Sequence, residues 1–211
     1  DAIGVVEGVV GQRRFSIQVD GQPNHAGTTP MKLRQDALVA ASRIVLAVET
    51  MARQHPGDPV ATVGRLEVWP NAANVVPGSV ALTVDLRDVN SVVLDQLVAE
   101  LMQQVERIGA ETGCPIQLEP QFEVEPTAAA DGVMAAIVSA AEDLGLSHSH
   151  LPSRASHDAQ EIGRRWPMGM IFVPSRGGLS HSSKEFTSDE HCWAGAAVLL
   201  GTLQRLDREL S

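Results

Sequence analysis

The sequence contains no tyrosine, and aromatic residues fill only 3% of its 211 positions. Its core must therefore come from Val, Leu, Ile, Ala and Met rather than from large rings. Cysteine is also scarce. Cys114 and Cys192 stand far apart and form neither a disulfide framework nor a metal-ligand spacing, so a reducing cytoplasm is the expected compartment. No apolar run approaches the roughly 18 residues of a membrane helix. An excess of positive charge is missing too. The formal net charge is −10, which argues against nucleic acid and anionic membranes as partners, because both select basic surfaces. Nucleotide-binding loops of the G-x-G-x-x-G or P-loop type do not occur, nor does the G-x-S-x-G elbow of a serine hydrolase. The opening DAIGVVEGVVGQRR has no basic start and no cleavage motif, so it is not read as a signal peptide. It begins with Asp rather than Met and already reads as a strand, and the expectation is a part of something longer.

What is present is 44% hydrophobic and 20% charged, ordinary for a globular protein. Phe15, Ile17 and Val19 alternate with polar residues, the pattern of a half-buried strand. After a loop, Leu33, Ala37, Ala40, Ala41, Ile44, Val48 and Met51 recur at helical steps and predict one helix over 31–55, with Pro30 at its start. Strands over 60–69 and 79–88 are separated by a short Asn/Pro-rich turn and should pair as an antiparallel hairpin. Ser91 is the expected cap of a second helix with Val93, Leu97, Leu101, Val105 and Ile108 inward, stopped by Gly113. PIQLEPQFEVEP supplies a fourth strand. This order closes into an α+β domain, a four-stranded antiparallel sheet with both helices on one face. Ile17, Val19, Leu66 and Leu82, or their immediate strand neighbours, should pack under Ile44 and Leu101. An open face or edge strand suits a contact with a second copy.

The remainder reads differently. Asp131 is expected to cap a helix over 131–145. A loop over 146–159, an apolar strand MGMIFVP, a Gly/Ser-rich loop and a last helix over 188–209 follow. Such a layout is α/β in character, and one strand between helices should need further strands from elsewhere, with the first ten residues adding one.

Among seven histidines, His55 and His191 sit at helix ends and read as surface residues. His148 and His150 form an H-x-H pair whose rings would share a side of an extended segment. A zinc reading exists for them but lacks a nearby third ligand. His25, His157 and His181 lie in loops of small polar residues, where backbone and side chains can approach a ligand. Ser156-His157-Asp158 is not a triad, because adjacent residues cannot converge on one another. Arg87, at a strand end between Asp85 and Asp88, is either a surface arginine or a fork for a substrate carboxylate. Asn74 can donate to a substrate carbonyl or brace its turn.

The stretches IGVVEGVVG, HAGTTPM, NAANVVPG, VDLRD, SHDAQ and GLSHSSKEFT, in that order, resemble the M20-type metal-dependent amidohydrolases. More narrowly they are similar to the hydantoinase/carbamoylase branch, with its N-carbamoyl-L-amino-acid hydrolases, allantoate amidohydrolases and β-ureidopropionases. The resemblance implies a catalytic domain with two divalent metal ions (Zn, Mn or Co), interrupted by a lid or dimerisation domain. Residues 12–125 would be that insert; 1–11 and 126–211 would belong to the catalytic domain. By similarity His181 is a metal ligand and His25 a lid histidine that steadies the oxyanion in a neighbouring subunit's site. Asn74 and Arg87 would bind the carbonyl and carboxylate of a small substrate, and His157 would contact that substrate. The family's other ligands and its general base would lie before Asp1, so this chain alone is expected to hold no metal stably and to be inactive. A homodimer through the lid is implied.

Arg154-Ala155-Ser156 stands where the family usually has Gly-Ala-Gly, which adds bulk beside the substrate. Two further readings remain: a non-catalytic dimerisation module, and a dipeptidase-like M20 enzyme.

Overall fold

The computed structural model describes residues 1–210, which divide into two compact units, Gly11–Glu125 and a second made of Asp1–Val10 with the described residues from Pro126 onward. No helix among the described residues is long and apolar enough to cross a membrane.

The Gly11–Glu125 unit is built on a sheet of β4 (Val60–Trp69), β6 (Ser79–Asp88), β2 (Gly11–Asp20) and β7 (Ile116–Val124), in that order and antiparallel throughout. In β2 the predicted alternation holds, and β6 alternates in the same way. Phe15, Ile17, Val19, Val80, Leu82, Val84 and Leu86 are buried in one core, against α1 (Ala37–Gln54) and α2 (Ser91–Thr112). Both helices therefore lie on one face. From α1 come Ala37, Ala40, Ala41, Ile44, Val48 and Met51, whose small members let the helix approach a sheet that has few rings to accommodate. From α2 come Leu94, Leu97, Leu101, Val105 and Ile108, with Val93 packed only partly. Gly113 closes α2 at φ 68, where a Cβ would be strained.

Several sequence expectations need correction. The first helix begins at Ala37, not residue 31: Asp36 accepts from the Leu38 and Val39 amides, and 31–33 form a separate 3-10 turn. Leu33, placed in the helical stripe, is 72% exposed. Asn90 rather than Ser91 caps α2, accepting from the Val92 amide. Leu66 stands opposite Leu82 but is 40% exposed, because β4 is an edge strand that the helices do not fully cover.

In the other unit β1 (Ile3–Val9) is central. β10 (Ile171–Phe172) and β8 (Thr127–Ala128) pair antiparallel with its two ends, and β9 (His148–Ser153) runs parallel along it. Ile3 and Val5 pack on α3 (Asp131–Asp143) and α5 (Asp189–Leu210) through Ile137, Ala140, Ala141, Ala194 and Val198. The segment expected to be a loop over 146–159 is thus part strand and part short helix, α4 (Ala159–Gly163). Polar HSHLPS shows no apolar alternation, and only its backbone pairing with β1 makes it a strand. Within this chain the sheet comprises four strands, β1, β8, β9 and β10, with the first ten residues supplying the central one as expected. α3 ends at Asp143 in a Schellman turn, with Leu146 donating to the Ala141 carbonyl (2.9 Å) and Gly145 left-handed, and its N-cap Ala130 makes no side-chain bond where Asp131 was expected to cap. MGMIFVP is extended, but only Ile171–Phe172 joins the ladder. Met168 and Met170 use their carbonyls on the Ala130 and Val6 amides.

Candidate functional site

At the end of the four-stranded sheet marked by Asp20 and Ser79, two short strands, β3 (Asn24–His25) and β5 (Val75–Val76), pair with His25 opposite Val75. The Asn74 carbonyl accepts from the Ala26 amide at 2.8 Å. His25 and Asn74 are therefore brought together by backbone pairing.

The turn after His25 folds back onto its own ring. Nδ1 accepts from the amides of Gly27 (3.1 Å) and Thr28 (3.3 Å), while the His25 carbonyl accepts from the Thr29 amide (3.2 Å) and hydroxyl (2.7 Å). Backbone amides can only donate, so Nδ1 must be an acceptor and the neutral ring carries its proton on Nε2. His25 is exposed, and no described residue makes a hydrogen bond to Nε2. The ring thus presents an N–H donor to whatever meets it.

Arg87 lies elsewhere. It is eight positions along β6 from Ser79, roughly 26 Å at the rise of an extended strand. Its guanidinium Nε donates to Asp85 at 2.7 Å. Asp85 also accepts from Arg14 Nε (3.1 Å), Arg14 Nη2 (2.9 Å) and Gln12. Within one chain, then, Arg87 is not beside His25 and Asn74.

Burial pushes the Asp85 carboxyl up, but hydrogen bonds from Arg87, Arg14 and Gln12 outweigh it and hold the group below the usual carboxylate range. Because the folded value is the lower one, Asp85 contributes stability that is complete above the ordinary carboxylate value. That stability is lost as pH falls through the depressed folded value. Asp85→Asn is therefore expected to lower stability at neutral pH and to flatten the acid loss below about pH 4. Thermal melts of both proteins from neutral pH downwards check this; parallel curves would show that the cluster adds nothing.

In the other unit His157 is exposed, and its Nδ1 accepts from the Ala159 amide (3.0 Å) at the start of α4. His181 is exposed with φ 54, its amide donating to Glu185 at 2.9 Å. His148 and His150 lie 3.8 Å from Glu142 and Glu7 respectively. Among the described residues no three His, Cys, Asp or Glu side chains are grouped so as to hold a metal ion. These residues alone therefore do not fit a two-ion centre. His55 bonds Gly57 and Gln96, and His191 bonds Ser188, as helix-end residues do.

Two features escaped the sequence reading. Asp85 was seen only as a neighbour of Arg87, although two positions apart on a strand puts both on one face. Arg34, which reaches the His25 turn, sat inside a stretch read as helix.

The matches to known proteins run through both units. The chain is 38% identical to an allantoate amidohydrolase of Bacillus subtilis, over 97% of this chain and 50% of that protein. It is also 38% identical to an N-carbamoyl-L-amino-acid amidohydrolase of Paenarthrobacter aurescens, over 98% of this chain and 50% of that one. A solved hydantoinase/carbamoylase-family amidase from Burkholderia multivorans superposes with a TM-score of 0.92 at 42% identity, over 97% of this chain and 50% of its own. The chain spans about half the length of the relatives it matches. A family model covers residues 4–205, and with sequence and fold agreeing over nearly every element described above, the chain belongs to peptidase family M20/M25/M40.

Proposed function

We propose that this chain forms the substrate-gripping part of a metal-dependent amidohydrolase that cleaves a linear amide or ureido C–N bond in a small carboxylate-bearing substrate. N-carbamoyl amino acids and allantoate-like ureides are the substrate classes, because relatives named for them are 38% identical to this chain over the half of their own length that it matches. The observation that carries the reading is the His25 turn. Two backbone amides fix Nδ1 as acceptor and leave an Nε2–H donor on an exposed ring, in a turn whose backbone is bonded to Asn74. A preorganised donor is what a developing oxyanion needs, because it costs no reorganisation during reaction.

Residues 12–125 act as lid and dimerisation domain, and 1–11 with 126–211 as part of the catalytic domain. Asn74 holds the substrate carbonyl. Arg87, steadied by Asp85, takes the carboxylate, and His157 lines the substrate. Members of the family are generally metal-dependent. His181 is one ligand to a centre of two divalent ions (zinc, manganese or cobalt) whose other ligands lie in the rest of the enzyme. Enzyme and substrate meet in the cytoplasm as a homodimer joined through the lid.

Arg87→Lys tests the substrate class. A guanidinium–carboxylate fork contributes roughly 1.5–3 kcal/mol, and lysine keeps the charge but not the fork. In the full-length enzyme KM for an N-carbamoyl amino acid should rise at least about tenfold at that magnitude, with a smaller change for an analogue lacking the carboxylate. Equal kinetics for Arg87→Lys and the parent would remove Arg87 from the binding site.

A further inference from the structure

We propose that Arg34 is a positioning residue for His25, a clamp that holds turn 26–29 in the shape that fixes the ring's tautomer and direction. Its consequence for catalysis rests on the reading of His25 as oxyanion donor; the clamp itself does not.

The guanidinium is partly buried and forks across the turn. Nε donates to the Thr29 carbonyl at 3.0 Å, and Nη2 donates to the Ala26 carbonyl. These two carbonyls flank the Gly27 and Thr28 amides that donate to His25 Nδ1. The Ala26 carbonyl and the Gly27 amide belong to one trans peptide and point opposite ways, so drawing that carbonyl to the guanidinium turns the Gly27 amide toward the ring, while the bond to Thr29 fixes the far end of the turn. A lysine head is a single point donor and cannot match two carbonyls in a fixed fork.

The base of the clamp is anchored as well. The Gln35 carbonyl accepts from Gln22 (2.8 Å), and the Ala37 amide donates to Pro77 (3.1 Å). Gly21 permits this approach, since a Cβ there would lie 2.3 Å from the Gln35 carbonyl oxygen. One residue further on, Asp36 caps α1. Arg34 thus ties an exposed turn to the sheet end and to the first turn of a long helix. Without it, among the described residues, the turn keeps bonds within itself and the Ala26–Asn74 backbone bond.

The test is nuclear magnetic resonance on the 15N-labelled 211-residue chain at about pH 8, above the ordinary histidine range. His25 is assigned by the signals missing in His25→Gln. The parent should show one tautomer with the proton on Nε2 and slowed exchange at the Gly27 and Thr28 amides. In Arg34→Ala those two amides should exchange about tenfold faster or more, and the ring nitrogens should move toward tautomer-averaged positions. Amides of β2 and β6 should stay unchanged. Arg34→Lys should fall between the two. If Arg34→Ala does not fold, Arg34→Met, which keeps the apolar stem, is read in the same way. Ring and amide signals identical to the parent's would overturn the clamp. In the full-length enzyme, Arg34→Ala should lower kcat with KM little changed. A released ring with undiminished kcat would leave the clamp standing and overturn the catalytic reading of His25 instead.

Discussion

Supplied with Mn²⁺, Zn²⁺ or Co²⁺, the 211-residue chain by itself is expected to turn over neither N-carbamoyl amino acids nor allantoate. The reason is the geometry of its ligands. Among the described residues no three metal-binding side chains are grouped, and His181 is exposed, with its backbone amide bonded to Glu185. One imidazole cannot hold a divalent ion against water at a fixed place, far less two. Without that centre the hydrolytic water keeps its ordinary reluctance to ionise, so the fall relative to the full-length enzyme should be many orders of magnitude. Steady-state assays with and without a chelator check this. Chelator-sensitive turnover by the purified chain would mean that it assembles a centre from its own residues, and would sink the division of labour proposed here. If the full-length protein were inactive too, the dimerisation-module reading would replace the amidohydrolase.

The Gly11–Glu125 fold was readable because its signals are local and redundant. Alternation in β2 and β6, a three- and four-residue stripe in both helices, and Gly113 at a helix end each follow from periods that the backbone imposes. The misreadings have physical causes of their own. The start of α1 was set too early because Met31 and Leu33 keep helical spacing. Asp36, an equally good cap, lay unnoticed within the run. β9 was missed because its identity as a strand resides in hydrogen bonds to β1, some 145 residues away in sequence, and not in its own side chains. Burial at Leu66 was overestimated because period-two patterning specifies a face and says nothing of whether a helix covers it.

The site was legible by residue type but not by arrangement. Loop histidines among small residues marked His25, His157 and His181, and sequence alone could not tell that His25 and His157 both spend Nδ1 on backbone amides. Nor could it separate Arg87 from Asn74. The two stand only thirteen positions apart in sequence, yet β6 carries Arg87 to the far end of the sheet. Distance along a strand grows with every residue, whereas a turn of the same length would have returned.

That separation motivates the second large effect. His25→Ala in the full-length enzyme is expected to lower kcat by about 10²–10³, the usual consequence of losing one oxyanion donor, with KM changed much less. On the proposed reading, the charge that Nε2–H would meet exists only after attack on the carbonyl, so the bond would be absent from the ground state. In one chain β6 carries Arg87 roughly 26 Å from Ser79, at whose end of the sheet the His25 turn lies, farther than a small ureide reaches. If both touch substrate, each substrate must therefore be gripped by Arg87 of one chain and His25 of another. Mixing two inactive parents, His25→Ala and His181→Ala, is then informative. Under shared sites a mixed dimer contains one site with an intact His25 and an intact His181, and one with neither. After complete exchange of equal amounts, about a quarter of the parent activity should return. Fluorescence transfer between labelled chains verifies the exchange. Verified exchange with no recovery would mean that His25 serves its own chain or no catalytic step, and that Arg87 and His25 do not share a substrate.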